Sequence, residues 1–554
     1  MTRARARLLS AAAVFLLAMA VRVLFLYSTS DRGWPHSALY EGDAPVWVRW
    51  AQALDRGEAF EFDLPMRTPG VAYALHGLVP GLLAAPFTLL KLVWCAVSAT
   101  TCAMLFAIVQ REIGTRVAWI AAMLLCFAFG SYELATSLNN EAPYAFLIVL
   151  LIGATLRWIE APRPVLAGAI GVLHGMAMLL RAEHALILAG FLVYAALATR
   201  SWRAARSLAL VAAAAVLVCL PWSLRSHAAV VRFNTIDPAP IDFEHADPPW
   251  TIEAADALRA LPAFARAGNF AYFQSLNRTR NKKLVDRVDV VSFFRDTFGY
   301  VPEPLSAWTL VSSKGALDFA LANHPASDGG FSRAALQDGL DADAAWAFGR
   351  PSHLRLYNHG YDVGWQWIRA DFGSWMTLVR RKLERFWEGV TLGFTAYDLP
   401  HGRANHRAPV DLATPVENNS AWSIAVAITI LAGIALSWRR NFAALCLIVI
   451  AGKLAVTIVY YGYARQAVSI EPVFFVFAAV AIDSLLAKLH CPPRAALLLG
   501  AAILLALLAC DIFAFRGSHG FDIRPKSPEA RIVRVPEWGL GAFETVDEIE
   551  ILPR

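Results

Sequence analysis

The chain has 554 residues, of which 57% are hydrophobic and 17% are charged, and its mean hydropathy is +0.47. A soluble protein of this size needs more polar surface, so the composition excludes that class and indicates a membrane protein with many spans. The net charge of +6 at pH 7 comes with arginines in short loops, which is first a signal of membrane orientation, and we expect no nucleic-acid partner.

Apolar runs long enough to cross a bilayer recur along the chain. The first one follows a basic start, and Ala18-Met19-Ala20 resembles a signal-peptide cleavage site, but the run continues to Tyr27, which favours an uncleaved span. We predict an all-α polytopic membrane domain with a mixed extracytoplasmic domain. The eleven predicted spans lie near residues 8–27, 83–108, 117–135, 142–159, 164–180, 183–199, 205–222, 421–438, 441–460, 466–487 and 495–515.

The charges of the short loops predict the orientation. One set of loops holds fourteen cations, against Arg181 and Arg465 in the short turns of the other set. The fourteen are Arg3, Arg5, Arg7, Arg111, Arg116, Arg157, Arg163, Arg200, Arg203, Arg206, Arg439, Arg440, Lys488 and Arg494. The positive-inside rule then places the N-terminus in the cytoplasm. We expect the protein to be a multi-pass protein of the inner (cytoplasmic) membrane.

This orientation divides the chain into four predicted parts. Residues 1–222 form an N-terminal transmembrane catalytic half, which includes a first outer loop at 28–82. Residues 223–420 form an extracytoplasmic domain, in which 372–394 reads as an amphipathic helix on the outer bilayer surface. Residues 421–515 form the C-terminal transmembrane helices, and 516–554 form an extracytoplasmic tail. High Ala and Arg usage fits a bacterial chain.

Acidic residues at the outer membrane surface are the first candidates for chemistry. In "LYEGDAPVWVRWAQALDRGEAF", residues 39–60, Glu41 and Asp43 precede an amphipathic helix at 44–56 whose tryptophans Trp47 and Trp50 are expected at the interface. Glu141 stands at the outer end of the fourth span. The alternative for Asp43 and Glu141 is that they only cap helices.

Cations near the outer ends of the spans are the second group. Ionisable groups in lipid cost several kcal/mol and usually face a cavity or a partner. We therefore expect these cations to bind a lipid phosphate at headgroup depth: Arg67, Lys91, Arg181, Lys453 and Arg465. Arg181 with Glu183 has the alternative of a local ion pair, and Arg22 is expected to snorkel to the surface.

Metal or cofactor binding has no support from the spacing of the residues. The seven cysteines are scattered, mostly inside apolar runs, and the His and Asp residues of the long outer loop lack metal-ligand spacing. We predict no metal and no cofactor, and a divalent metal is an alternative that no pattern favours.

Five stretches resemble the GT-C superfamily of membrane glycosyltransferases, in its family 39 branch of protein O-mannosyltransferases and lipid A aminoarabinose transferases. They are "YEGDAPVWVRWAQALDRGEAF" with "MRTPGVAYAL", "NNEAPYAFLIVLL", "GVLHGMAMLLRAEHALIL", "LPWSLRSHAAVVRFNTI" and "GYARQAVSIEPVFFVFAAVAI". The resemblance maps the family's first-loop acid to Asp43 and its second-loop acid to Glu141. Ala44 stands where the family often has a second acid, and Gln466 stands where an aromatic residue is common.

The resemblance implies transfer of a sugar from a polyprenyl-phosphate donor to a hydroxyl of a glycan, lipid or protein acceptor outside the cytoplasmic membrane. The cations would stabilise the phosphate leaving group, and a carboxylate would take the proton of the acceptor. Two alternatives stay open. One is a secondary transporter, and the other is a catalytically inactive protein of the same fold that binds polyprenyl lipids.

Overall fold

The computed structural model of the chain describes most of the predicted membrane region and part of the outer loop. The described residues are 3–29, 44–57, 64–79, 87–136, 138–199, 201–235, 242–243, 245–246, 250–262, 266, 270, 274, 295, 300–330, 332, 334–336, 351–393, 420–462, 464–489, 521–525, 532–535, 540–543 and 549–553.

The described residues of the N-terminal half contain ten helices. They are α1 (Arg3–Thr29), α2 (Ala44–Asp55), α3 (Gly70–Leu78), α4 (Phe87–Glu112), α5 (Thr115–Phe127), α6 (Phe129–Ala135), α7 (Glu141–Glu160), α8 (Pro164–Leu180), α9 (His184–Thr199) and α10 (Trp202–Thr235). The predicted turn at "RAEH" is present, because α8 ends at Leu180 and α9 begins at His184. The predicted third span is two helices, since the backbone is extended at Ala128.

The rest of the described chain adds eight α-helices, one short 3₁₀ helix (Ala334–Leu336) and four short strands. The helices are α11 (Ile252–Arg259), α12 (Gly315–Ala322), α13 (Pro351–Ala370), α14 (Phe372–Gly393), α15 (Ser420–Ser437), α16 (Asn441–Val459), α17 (Ala464–Val468) and α18 (Glu471–Lys488). The strands are β1 (Phe521–Pro525), β2 (Ile532–Val535), β3 (Leu540–Phe543) and β4 (Ile549–Pro553). They form two antiparallel pairs, β1 with β4 and β2 with β3, in a tail to which the sequence assigned no secondary structure.

The apolar helices confirm the predicted helical membrane fold. Within the described residues, five helices are long and apolar enough to cross a bilayer: Arg5–Leu24, Leu89–Glu112, Glu141–Glu160, Ala204–Thr235 and Asn441–Val459. Four shorter apolar helices accompany them: Thr115–Phe127, Pro164–Leu180, His184–Thr199 and Ser423–Ser437. The span predicted at 495–515 lies outside the described residues, so the count of eleven stays a prediction, as do the four domain boundaries.

Two glycines bring α8 and α10 into close contact. A Cβ atom on Gly171 would lie 2.4 Å from the carbonyl oxygen of Val211, and one on Gly175 would lie 2.6 Å from Cβ of Val218. Small residues four positions apart let helix backbones approach in a bilayer, where van der Waals contact drives association. This contact fixes the path of α8 toward its C-terminal end, where Arg181 follows.

The largest core is continuous through the helical bundle, and several of its large members are at most 1% exposed: Trp94, Phe106, Tyr144, Trp158 and Phe475. A smaller apolar cluster lies beyond the membrane helices and joins α12 and α13 to the chain that follows α16. It includes Leu317, Leu321, Leu356, Val363 and Tyr461. The described part of the outer loop therefore packs onto the turn that leads to α17.

Arg22 does not snorkel, and that expectation is wrong. Its side chain is fully buried, and its guanidinium donates to Ser98 Oγ at 2.8 Å, to Ser131 Oγ at 3.0 Å and to the carbonyl oxygen of Ala18 at 3.1 Å. Hydroxyl groups on α4 and α6 satisfy the charge locally, so the side chain has no need to reach the membrane surface.

Two amphipathic helices are where the sequence expected them, and part of their apolar surface is buried against protein. Trp47 and Trp50 of α2 are 2% and 3% exposed, and Trp50 lies 5.9 Å from the Trp222 ring. In α14 the apolar face buries Phe386 and Val390 in the main core. The apolar residues in the second half of α14 therefore dock on neighbouring helices, whereas large apolar residues at its start are exposed.

Candidate functional site

Five charged side chains form one alternating chain where α7, α8, α9, α16 and α17 meet. Glu141 Oε1 pairs with Nε of Arg465 at 3.0 Å and with Nη2 of Arg181. Arg181 Nη1 also donates to Glu183 Oε1 at 3.2 Å. That oxygen accepts a further hydrogen bond from Lys453 Nζ at 3.0 Å. We call this set the charge cluster, and its three cations and two carboxylates leave it with a formal charge of +1.

The two ends of the charge cluster differ in exposure. Lys453 is fully buried and Arg181 is 7% exposed, whereas Arg465 and Glu183 are 26% and 24% exposed. The Tyr144 ring lies under the buried part, with Lys453 Nζ at 4.6 Å and Arg181 Cζ at 5.6 Å from its centroid. An aromatic face next to cations stabilises them in a site with little water. The cluster is therefore open to its surroundings mainly at Arg465 and Glu183.

A strained turn directly before α7 positions Glu141 in the charge cluster. Leu138 is buried with φ of 54°, a region that a bulky residue rarely adopts. Trp94 Nε1 holds the next residue by donating to the carbonyl oxygen of Asn139 at 2.8 Å. Asn140 Nδ2 donates to the carbonyl oxygen of Leu180 at 3.2 Å. Strain of this kind persists where surrounding contacts determine the backbone, and such places are often functional sites.

The segment that carries Arg67 docks on the C-terminal end of α8. Thr68 Oγ1 donates to the carbonyl oxygen of Leu180 at 2.8 Å, and Trp47 Nε1 donates to the carbonyl oxygen of Thr68 at 2.9 Å. A Cβ atom on Gly70 would lie 2.6 Å from the carbonyl oxygen of Leu179, so only glycine allows this approach. Arg67 is half-buried, one residue from Thr68, and the docking brings its segment next to Arg181.

Lys91, Glu41 and Asp43 are the remaining predicted site residues. Lys91 is buried on α4, three residues before Trp94, whose indole bonds the turn that precedes Glu141. Glu41 and Asp43 lie outside the described residues, so their roles stay predictions. Of the eight predicted site residues, the structure joins Glu141, Arg181 and Arg465 directly and adds Lys453 through Glu183.

Several members of the site were missed by the sequence analysis. Glu183 was weighed only as a local ion pair, yet it also binds Lys453. Asn140 accepts a hydrogen bond from Arg181 Nη2 at 3.0 Å. Below them a buried chain runs from Tyr144 OH to His184 Nδ1 at 2.9 Å and from His184 Nε2 to His174 Nδ1 at 2.8 Å. The only sequence signal was polar residues within apolar helices.

Two polar atoms of the charge cluster remain available. Among the described residues, Glu141 Oε2 and Arg181 Nε are buried without a hydrogen-bond partner. Glu141 also lines a small cavity, of about 10 Å³, together with Ser98, Thr101 and Ser131. That volume is close to the minimum that holds one water molecule. In the part of the chain that the structure describes, no three His, Cys, Asp or Glu side chains are grouped to hold a metal ion.

The charge cluster is suited to bind an anion. Carboxylates hold the cations in place before a ligand arrives, and the excess positive charge lies beside a partly exposed arginine. Guanidinium groups match the geometry of a phosphate and keep their charge when they lose water. Because fixed donors need little rearrangement when a ligand binds, such a site favours a phosphate group.

One family model matches part of the N-terminal half of the chain. Residues 67–224 match the family model described as dolichyl-phosphate-mannose-protein mannosyltransferase. The matched region includes Arg67, Lys91, Glu141, Arg181 and Glu183. The resemblance to the GT-C superfamily is thereby confirmed over this part of the chain. No curated protein sequence matches the chain.

Solved structures resemble the chain more distantly. The oligosaccharyltransferase of Archaeoglobus fulgidus in the apo form matches with 14% identity and a TM-score of 0.42, over 91% of this chain and 55% of that protein. ArnT from Cupriavidus metallidurans bound to undecaprenyl phosphate matches with 12% identity and a TM-score of 0.31, over 86% of this chain and 78% of that protein. The chain spans about half the length of the archaeal oligosaccharyltransferase.

Proposed function

We propose that this protein transfers a glycosyl group from a polyprenyl-phosphate carrier to an acceptor hydroxyl on the outer face of the cytoplasmic membrane. The observation that carries the proposal is the charge cluster, in which three cations and two carboxylates meet at the helix ends around Glu141. The description of the matching family names a lipid-phosphate sugar as donor, which is the class of donor proposed here.

The reaction needs one site for a leaving phosphate and one base. The acceptor oxygen attacks the anomeric carbon, the bond from that carbon to the phosphate oxygen breaks, and polyprenyl phosphate leaves with the bonding electrons. Cations near the leaving oxygen stabilise the charge that develops on it. A carboxylate takes the proton of the acceptor hydroxyl. If the anomeric centre is inverted, one base suffices and no covalent intermediate forms.

We assign the donor phosphate to the open end of the charge cluster. Arg465 is the most exposed cation of the cluster, and Arg67 lies on the segment that docks beside Arg181. Lys453 and Arg181 add positive potential from the buried side, and Lys91 is the remaining candidate for this role. In this assignment a bound phosphate competes with Glu141 for the Arg465 guanidinium.

We assign the base to Asp43, with Glu41 as its neighbour in the same outer loop. Glu141 is the alternative base, because its Oε2 has no partner among the described residues. Its Oε1 already accepts two guanidinium groups, which suits a counter-ion that holds Arg181 and Arg465 in position. Glu183 has the same role for Arg181 and Lys453.

The glycolipids and glycans of a strain that lacks the gene test the proposal, and mass spectrometry measures them. We expect a sugar-loaded polyprenyl phosphate to accumulate and one glycan, lipid or protein to lack that sugar, and the wild-type gene should restore both. An unchanged profile would reject the transfer reaction. A defect in uptake of a labelled solute into vesicles would favour a secondary transporter, and binding of polyprenyl phosphate without turnover would favour an inactive lipid-binding protein.

A further inference from the structure

Lys382 is a buried cation in α14, outside the charge cluster. It is 0% exposed, and its Nζ donates to Asn323 Oδ1 at 2.9 Å and to the carbonyl oxygen of Ile458 at 3.1 Å. Both acceptors are neutral. Burying an ammonium group costs free energy that neutral acceptors recover only in part, so a simple need for stability would favour an apolar side chain here. The contacts of Lys382 indicate which part of the chain it keeps in position.

Asn323 joins the outer loop to the end of α16 through its amide oxygen and nitrogen. Its Oδ1 accepts from Lys382 and from Trp375 Nε1, at 2.9 and 3.0 Å. Its Nδ2 donates to the carbonyl oxygens of Phe319 and Val459, at 2.8 and 3.0 Å. The last carbonyl groups of a helix have no partners within it. Lys382 and Asn323 supply partners for two of them at the end of α16.

The chain after α16 lies directly on α14. The amide of Gly462 donates to the carbonyl oxygen of Gly329 at 2.8 Å. A Cβ atom on Gly462 would lie 2.0 Å from the carbonyl oxygen of Lys382, and one on Gly389 would lie 2.1 Å from that of Ala464. Lys382 on α14 therefore touches Gly462. Gly389, two turns further along α14, touches Ala464, the residue before Arg465.

We infer that Lys382 and Asn323 are positioning residues for Arg465. They fix the end of α16 and the connection to α17, and through that connection they place the Arg465 guanidinium 3.0 Å from Glu141. The outer loop is thereby coupled to the charge cluster. The part of this inference that concerns a lipid phosphate rests on the proposed function, whereas the placement of the connection does not.

Two measurements on purified protein in nanodiscs test the inference. Hydrogen exchange reports the protection of amides in residues 459–468. The affinity for polyprenyl phosphate is measured in a double-mutant cycle of Lys382→Met and Arg465→Ala. The matched control is Arg380→Met on the same helix. The Arg380 side chain is 71% exposed and pairs with Glu384. If Lys382→Met does not fold, Asn323→Ala takes its place, because it keeps the ammonium.

We expect Lys382→Met to raise exchange in residues 459–468 at least about tenfold and to weaken lipid binding about tenfold, the scale of one charged hydrogen bond. In the Arg465→Ala background the same change should have almost no further effect on affinity, and Arg380→Met should change neither measurement. Unchanged exchange in 459–468, or an equal loss of affinity in both backgrounds, would overturn the inference. If the wild-type protein bound no polyprenyl phosphate, the proposed function would fail, and the exchange comparison would still decide whether Lys382 places the connection.

Discussion

Lys453 donates to Glu183 at 3.0 Å and joins α16 to the turn between α8 and α9 across 270 residues of sequence. The lysine is fully buried, and the same carboxylate oxygen holds Arg181. A buried cation without a counter-ion costs several kcal/mol, so Glu183 sets both the geometry and the stability of the charge cluster.

Glu183→Gln should lower the free energy of unfolding by about 3 kcal/mol, because it leaves Lys453 buried beside a neutral amide. Reversible denaturation in detergent measures this. The matched control is Glu160→Gln, whose carboxylate is 55% exposed in a pair with Arg111 and should cost less than about 1 kcal/mol. Equal losses for the two variants would contradict the role of Glu183 as counter-ion.

Arg465→Ala should weaken binding of polyprenyl phosphate by about 1.5–3 kcal/mol, the scale of a hydrogen bond to a charged group. Its stability should change little, since Arg465 is partly exposed and pairs only with Glu141 in the cluster. Arg181→Ala should lower both affinity and stability, because Arg181 bridges two carboxylates. Native mass spectrometry and thermal unfolding measure the two quantities. Arg440→Ala, at the other end of α16, is the control, and a loss of affinity equal to that of Arg465→Ala would refute the assignment.

Lys382 predicts a dependence of stability on pH. Burial lowers its pKa from 10.5 to about 7, so the folded protein loses this proton near neutral pH while the unfolded chain keeps it to about 10.5. The free energy of unfolding should therefore rise with pH above 7, by up to about 1.4 kcal/mol per unit, and fall as pH drops toward 7. Nearby arginines on the same helix are Arg381, which is exposed, and Arg385, which pairs with Asp328 at 2.7 Å.

Unfolding curves between about pH 6.5 and 9, a range chosen around that pKa of about 7, compare wild type with Lys382→Met. As pH rises through this range, the free energy of unfolding of the wild type should increase relative to that of Lys382→Met. Parallel pH profiles would mean that Lys382 does not titrate in this range.

The membrane orientation predicts the sidedness of reporter fusions. Because fourteen cations lie in one set of short loops and two in the other, fusions near residues 200 and 440 should report the cytoplasm. Fusions near residues 300 and 530 should report the outside. A cytoplasmic signal at 300 would place the charge cluster at the wrong membrane surface for the proposed chemistry.

Most of the helices could be predicted from the sequence, because an apolar run of span length has few other solutions. The cations Arg181, Lys453 and Arg465 could be selected for the same reason, since charge in lipid is costly. The Lys453 partner of Glu183 and the partners of Lys382 could not be predicted. Their contacts join residues far apart in the chain, and local spacing holds no information on them.

The expectation for Arg22 failed for a related reason, and Trp47 and Trp50, expected at the membrane interface, are covered by protein. Hydropathy indicates that a side chain lies in or near the membrane, but it does not distinguish lipid from a neighbouring helix. Arg22 meets hydroxyl groups of α4 and α6, and both tryptophans meet protein.

The central claim is that the protein cleaves a sugar from a polyprenyl phosphate with Asp43 as base. A combined extract of the lipids, glycans and proteins of the deletion strain's envelope supplies the donor and its acceptor, whichever sugar the donor carries. Asp43→Asn keeps the shape of the side chain and removes the proton acceptor, so release of polyprenyl phosphate should fall by about a hundredfold or more. Glu41→Gln should have a smaller effect. If Asp43 only caps α2, the variant should instead lose about 1 kcal/mol of stability with near-normal turnover.

The most direct measurement is therefore the release of free polyprenyl phosphate by purified protein in nanodiscs with that extract, followed by mass spectrometry. We predict release with the wild type and almost none with Asp43→Asn at equal abundance and equal donor binding. No release by the wild type, or direct use of a soluble nucleotide sugar, would contradict the proposed reaction.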